Sequence, residues 1–484
     1  MKLFSLILIL LISVPIFSYS CSESNEVDEV DHETSDISVD NDELTDEELR
    51  NAICDDLPQT DYEGRAFRLF AFDKMEKFFF ADEQNGEIIN DSIYIANKTV
   101  EERFNTDIVF VDSGGDDISH NNAIRASVLS NEDSFEVAEN HDSLSGASAM
   151  EGLYMNLYEI QYLDFEKPWW PANAVESLTF LDQMYVGSSN MSYKGFHFTR
   201  VLFFNKTLIE DYNLTEPYQY VFDGNWTLDL LISITKDIYK DLNGDGKADS
   251  DDLYGYMANN PSYCYLEAFG INSIEKTDDE LVLGINNEKT ITMLDKMYTL
   301  IFESPGGIMV DYNMSAELFG LNHAVYVFGE LGHAVDVLRY TDVNYGIIPL
   351  PKLDDTQNEY LSAYTDRFFV VPVNKQDTEF IGLILEAMSA EGYKKVIPAY
   401  YEVALKQKFT YDDESVQILE LINEVRILDF AFVYCNNFNS IVNELLNPSK
   451  PSKDFVSLYA KQEKTLLSGV KKVSDNFINL ADKQ

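Results

Sequence analysis

The chain has 484 residues, with 35 Lys and Arg against 84 Asp and Glu and a formal net charge of −49. Nucleic-acid binding needs Lys and Arg that displace counterions from phosphates, so this charge excludes that class. Apolar residues make up 45% of the chain, enough for a large core, and the acidity favours solubility and a weak attraction for calcium.

Lys2 is followed by an apolar run from Leu3 to Phe17, and the small residues Ser18 and Ser20 precede Cys21. A basic start, a short apolar core and a small-residue exit make a secretory signal over residues 1–21. The run is short for a spanning helix, and no later stretch approaches the roughly 20 apolar residues that one needs. A cysteine directly after the apolar core resembles a bacterial lipoprotein cleavage site, which implies a lipidated Cys21 and a chain tethered to the outer face of the membrane. Ser18 stands where such sites usually carry Leu.

Residues 22–62 read as a disordered acidic linker. Their first part is almost all acid, Ser, Thr and Asn, with too few large apolar groups to offset the entropy of ordering. A charged spacer of this kind holds a folded part off a surface, and a surface helix near Leu44–Ile53 is compatible with its far end. Roughly 420 residues remain, enough for two or three domains.

From Gly64 the pattern is α/β. Ala66–Phe72 reads as a short buried strand. In Asn90–Phe104, Ile93, Ala96, Val100 and Phe104 share one helical face. Thr106–Val111 is a second strand, Ala123–Leu129 a short helix and Ser134–Ala138 a third strand. This alternation predicts a parallel sheet with crossover helices. Leu178–Val186 reads as a hairpin arm with an Asp-centred turn. Phe198–Phe204 is a strand leading into the short helix Asn205–Asp211. Leu228–Tyr239 is a helix with Thr227 as N-cap, and Asn287–Phe302 is another. Ala324–Phe328 and Tyr345–Ile348 are strands. Asp377–Ala390 and Ser415–Val425 are amphipathic helices. No internal repeat is present.

Residues 241–252 read DLNGDGKADSDD. Calcium takes six to eight oxygens, and an EF-hand-type loop supplies them from positions 1, 3, 5, 7, 9 and 12 with Gly at 6. Those positions are Asp241, Asn243, Asp245, the Lys247 carbonyl, Asp249 and Asp252, with Gly246 at the turn. Asp252 stands where sensor loops place Glu, and the preceding helix is the expected lead-in. The loop is single, so its expected role is structural calcium bracing a long loop; a solvated acidic turn is the plain alternative. Cys54, Cys264 and Cys435 are far apart without a CxxC pair, which argues against zinc and leaves one disulfide open.

No catalytic constellation stands out. His32, His120, His141, His197, His323 and His333 are scattered, without HExxH, and there is no GxSxG or P-loop. Carboxylates are too numerous for a glycosidase pair to be singled out or dismissed. Lys167–Pro171 reads KPWWP, and adjacent indoles suit stacking on sugar rings or filling a core.

Four segments in order resemble the extracellular solute-binding proteins of family 1, the lipoproteins that serve ABC importers. They are VLFFNKTLIEDYNL, then DGNWTLDLLISITKDI followed by the acidic loop and DLYGY, then HAVYVFGELGHAVDVLRYTDVNYGIIPLPK, and LILEAMSAEGYKKVIPAYYE within Asp377–Glu402. The last is similar to a subgroup from Gram-positive anaerobes. The resemblance implies an α/β, two-lobe periplasmic-binding-protein-like fold with a hinge. The first lobe would cover about 63–175 plus 368–410, and the second about 190–360 plus the C-terminal helices. It implies a non-enzymatic role: a monomer that captures a small solute, most often an oligosaccharide, for ABC permease subunits. Sugar binders often carry Trp just after the Gly corresponding to Gly329, where this chain has Glu330, Leu331 and Gly332. The cleft is therefore expected to use Trp169, Trp170 and Tyr364 for stacking, with Asp142, Arg200, Glu330, Asp366 and Arg367 bonding hydroxyls. The competing expectation is a secreted polysaccharide-active enzyme or adhesin with a structural calcium.

Overall fold

The computed structural model describes residues 45–260, 262, 264–406, 413–435 and 438–481. The secretory signal, Cys21 and the linker up to residue 44 lie outside the described residues; the linker's far end forms the short helix Asp46–Asn51.

The first sheet grows from the Arg65–Ala71 strand, whose alternate residues are buried. It pairs in parallel with Thr106–Asp112 along its whole length and, on its other side, with Val137–His141. The helices Ile88–Phe104 and Asp117–Ser130 make the crossovers. The first buries Ile93, Ala96, Val100 and Phe104, the face that the spacing predicts, and stops at Asn105 in the left-handed region (φ 46°). The third strand starts three residues later than the sequence suggests. Glu136 is drawn off by Arg68, whose backbone N–H and Nε both donate to its Oε2 at 2.7 and 2.9 Å. Phe135 meanwhile stacks on Phe70 at 4.4 Å. A fourth strand, Arg367–Val370, returns antiparallel to Val137–His141.

The second sheet runs Tyr345–Ile348, Arg200–Asn205, Ala324–Glu330, Leu253–Asn259, Tyr239–Lys240, with Gly307–Val310 also paired to Leu253–Asn259. Its three central strands are buried at every residue, as expected of strands covered on both faces. The chain leaves the first sheet through residues 187–199 and returns through 360–367. These crossings bridge each other at Thr199 and Tyr364, and Gly187 bridges Phe369 of the first sheet. They form the hinge of a two-lobe molecule.

Several boundaries differ from the sequence reading. Thr227 caps its helix through Leu230 N–H, but that helix ends at Thr235, because Tyr239 is needed opposite Tyr254 in the sheet. The helix from Glu288 passes into a wider turn at Thr299–Glu303. Leu181 and Asp182, with φ of 52° and 57°, make a two-residue turn closed by reciprocal Phe180–Gln183 bonds of 3.0 and 3.1 Å, the left-handed pair a tight hairpin requires.

The C-terminal helices, which the sequence reading groups with the second lobe, pack along both lobes. Phe430–Tyr434 lies on the Asp142–Met150 helix of the first lobe. Lys453, just before the long Phe455–Ala481 helix, pairs with Glu303 of the second lobe at 3.0 Å. Near that helix's end, Phe477 meets Phe180 and Tyr185 at 5.3 and 5.7 Å. No described helix is long and apolar enough to cross a membrane. Cys54, Cys264 and Cys435 are free thiols.

Candidate functional site

Strand ends from the two lobes converge. In the first sheet, Val137–His141 finishes beside Asp142, and Arg367 lies opposite His141 in the ladder. In the second, Arg200 opens one strand and Glu330 closes its antiparallel neighbour directly opposite. A cavity of about 210 Å³ is lined by Asp142, Arg200, Glu330, Asp366 and Arg367, five of the residues expected to bond a solute. His141, Thr365, Met75 and Phe198 complete its wall. The sequence reading missed these four. His141 alone carried a signal, as the neighbour of Asp142.

The cavity's charges are paired. Arg200 and Glu330 form an ion pair with both side chains 4% exposed. Tyr312 donates its hydroxyl to Glu330 Oε2 at 2.5 Å, and burial pushes that phenol up. Arg367 binds Asp117 Oδ1 through Nη1 at 2.5 Å and the Glu139 carboxylate through Nε, leaving Nη2 buried without a partner. Glu139 also takes the fully buried Lys194 at 2.7 Å. Burial opposes the Glu139 charge, but Lys194 and Arg367 outweigh it and hold the carboxyl below its ordinary value. Burial pulls Lys194 down. Asp366 accepts from the Ser188 hydroxyl and from Arg367 N–H, yet burial pushes it up. His141 Nδ1 lies 2.7 Å from Asp142 Oδ1; burial works against protonation and the carboxylate outweighs it, so His141 is raised. Such a wall, made of donors and acceptors already held by partners, can bond polar ligand atoms at little reorganisation cost.

Three expected contacts are corrected. Trp169 and Trp170 are buried away from this cavity, and their indole N–H groups donate to Glu386 Oε1 and Oε2 at 2.8 and 2.9 Å. Phe165 and Phe369 pack on Trp170 at 5.1 and 5.5 Å and Trp169 is fully buried, so neither indole offers a free face. Buried indoles need an acceptor, and the polar residue on the apolar face of the Thr378–Glu391 helix supplies it. Tyr364 is also buried, in the hinge, with the Arg426 guanidinium 5.0 Å over its ring.

The acidic loop is a hairpin connection between Tyr239–Lys240 and Leu253, not a helix-led hand. Gly244 and Gly246 adopt φ of 75° and 74°, the region that Gly tolerates. Asp241 accepts from both of their N–H groups, Asn243 from Asp245 N–H, Asp245 from Lys247 N–H, and Asp249 from Asp251 N–H. Asp252 accepts from Tyr239 Oη and Leu242 N–H. The oxygen donor types fit a hard cation. Among the described residues, however, no three His, Cys, Asp or Glu stand close enough to hold a metal.

No protein-family model matches the chain, and no curated protein matches it by sequence. Solved structures do match. UgpB from Mycobacterium tuberculosis, in complex with glycerophosphocholine, is similar with a TM-score of 0.54 and 14% identity, over 84% of this chain and 98% of that one. The maltose/maltodextrin-binding domain MalE from Bdellovibrio bacteriovorus, bound to maltotriose, is similar with a TM-score of 0.52 and 15% identity, over 86% and 100%. At these identities the likeness is one of fold, and it defines the class: a two-lobe periplasmic-binding-protein-like architecture.

Proposed function

We propose that this chain captures a small polar solute between its lobes, outside the cytoplasm, and presents it to the permease subunits of an ABC importer without transforming it. The observation that carries the reading is the polar cavity formed where strand ends of both lobes meet, beside a hinge of two bridged crossings. Ligand bound there would favour the closed arrangement of the lobes. Similarity along nearly the whole of two solved structures, one a complex with glycerophosphocholine and one with maltotriose, supports the same reading. An oligosaccharide is the leading solute, because paired carboxylates and guanidinium groups bond hydroxyls well. Asp142, Arg200, Glu330, Asp366 and Arg367 would contact it.

Within this proposal the chain is a monomer tethered through lipid on Cys21, and calcium at Asp241, Asn243, Asp245, the Lys247 carbonyl, Asp249 and Asp252 braces the hairpin. A melting-temperature screen of neutral and amino oligosaccharides and glycerophosphodiesters, with chromatography of the recovered ligand, tests capture. The expected result is stabilisation by one class with the ligand recovered intact. Cleaved ligand, or no stabilisation by any class, refutes it.

A further inference from the structure

A second and larger cavity, about 510 Å³, opens between the Ala172–Leu178 helix, the Cys264–Ala268 helix with the strand after it, the return crossing and residues 424–430. Its wall carries six carboxyls: Glu176, Glu267, Glu275, Glu359, Glu424 and Asp429. Two cations share it: Lys276 is engaged elsewhere, and Arg426 is held over an aromatic ring with its Nε buried without a hydrogen-bond partner among the described residues. Lys276 Nζ caps the end of the Ala172–Leu178 helix through the carbonyls of Glu176, Ser177 and Thr179. The Arg426 guanidinium lies 3.9 Å over the Phe196 ring.

Glu267 is the telling residue. It is 5% exposed and lines the cavity, yet among the described residues its carboxyl has no hydrogen-bond or ion-pair partner. A buried carboxyl left in that state is costly unless something meets it. It also lies within electrostatic reach of Arg200 and Asp142 in the first cavity's wall and of Asp429 in its own. Asp429 spends one oxygen capping Ala431 N–H at 2.7 Å.

We propose that the captured solute carries an ammonium group, as an amino sugar does, and that Glu267 and Asp429 receive it. The inference rests on the capture reading and names the solute class. An organic cation fits better than a metal. At about 510 Å³ the space is that of a small organic molecule, not of a single ion. An acid-rich wall also attracts cations before contact.

Titration supports the geometry. Burial raises both carboxyls, Asp429 to about 6 and Glu267 well above its ordinary value, and Asp429 raises Glu267 further. Arg200 lowers Glu267, while Asp142 raises it. Lys276, Arg426 and the four other carboxyls of the wall face the same space. An arriving ammonium must displace protons from this pair, so its affinity rises with pH through this range.

The test is calorimetric titration of the mature chain with glucosamine disaccharide, its N-acetylated counterpart, maltotriose and spermidine, at about pH 5 and about pH 7.5. The amine form should bind at least about tenfold tighter than the acetylated form, more tightly at the higher pH. Glu267→Gln, a near-isosteric change, and Asp429→Asn, which keeps a capping oxygen, should each remove about tenfold of that preference while leaving neutral-sugar binding unchanged. If the neutral sugars bind and the amine binds no tighter, the ammonium site is overturned and capture stands. If no amine binds, or if amine affinity is independent of pH in the unaltered chain, the ammonium site is likewise overturned, whatever the variants do.

Discussion

Removing one partner of the Arg200–Glu330 pair should cost far more than removing both. Each side chain is 4% exposed, and the two sit opposite each other at the edge of the first cavity. Glu330→Leu alone leaves the guanidinium buried without its carboxylate and takes the acceptor from the Tyr312 hydroxyl, and Arg200→Met alone leaves the Glu330 carboxylate without its guanidinium. Breaking a buried pair in this way costs about 3–5 kcal/mol. Replacing both members by apolar groups of similar volume is often neutral, because two desolvation penalties vanish with the attraction, so Arg200→Met with Glu330→Leu should recover most of the loss, short of the about 1–3 kcal/mol for the Tyr312 hydroxyl left without its acceptor. Guanidinium unfolding, followed by the fluorescence of the buried Trp169 and Trp170, measures both quantities. The interaction energy from the cycle is then large and of opposite sign to the single losses. A double variant whose loss equals the sum of the two single losses refutes the reasoning. Solute binding should fail in the double variant although it folds; normal binding there removes the pair from the site.

Glu386 is raised from 4.5 to about 7 by burial, with the two indole donors acting the other way. The folded state therefore holds a proton that the unfolded chain has released. The stability this contributes is full below about pH 4.5 and is lost as pH rises through about 7, a change of about 3 kcal/mol. Glu386→Gln should flatten that part of the pH–stability curve, and an unchanged slope contradicts it. A Cβ at Gly146 would fall 2.1 Å from the Val433 carbonyl oxygen, so Gly146→Ala should push Phe430–Tyr434 off its helix and cost about 1–3 kcal/mol or more in unfolding experiments. Chelation should lower the melting temperature of the chain, and Asp245→Ala should abolish both calcium binding and that response. A variant that still binds calcium, or an unaltered chain indifferent to chelator, ends the calcium proposal.

The sequence made the first sheet legible because its strands and helices alternate with clean apolar spacing, as in Ile93, Ala96, Val100 and Phe104. Strand limits were less readable where side chains compete. Glu136 looks like part of a strand until Arg68 claims it. Five cavity residues were found because they fall at strand ends or in adjoining loops, where neighbouring lobes can meet. Trp169 and Trp170 misled because aromatic composition states only an apolar need. Their acceptor, Glu386, is more than two hundred residues downstream, and no local pattern joins them. Glu267 gave no signal, since nothing near it in sequence marks a carboxyl that folding leaves unpaired among the described residues. The C-terminal helices could not be assigned to one lobe from sequence, because amphipathicity shows that a face is buried but not against what.

Capture by lobe closure without chemistry has a direct readout. Spin labels at Leu129 and Leu321, which are 69% and 66% exposed on the first and second lobes, report the interlobe distance by pulsed electron resonance once Cys54 is replaced by Ser. With the solute that the screen identifies, the distribution should shift to a single shorter distance and the solute should be recovered intact and in full. A bound solute that leaves the distance distribution unchanged, or one recovered as cleavage products, contradicts it.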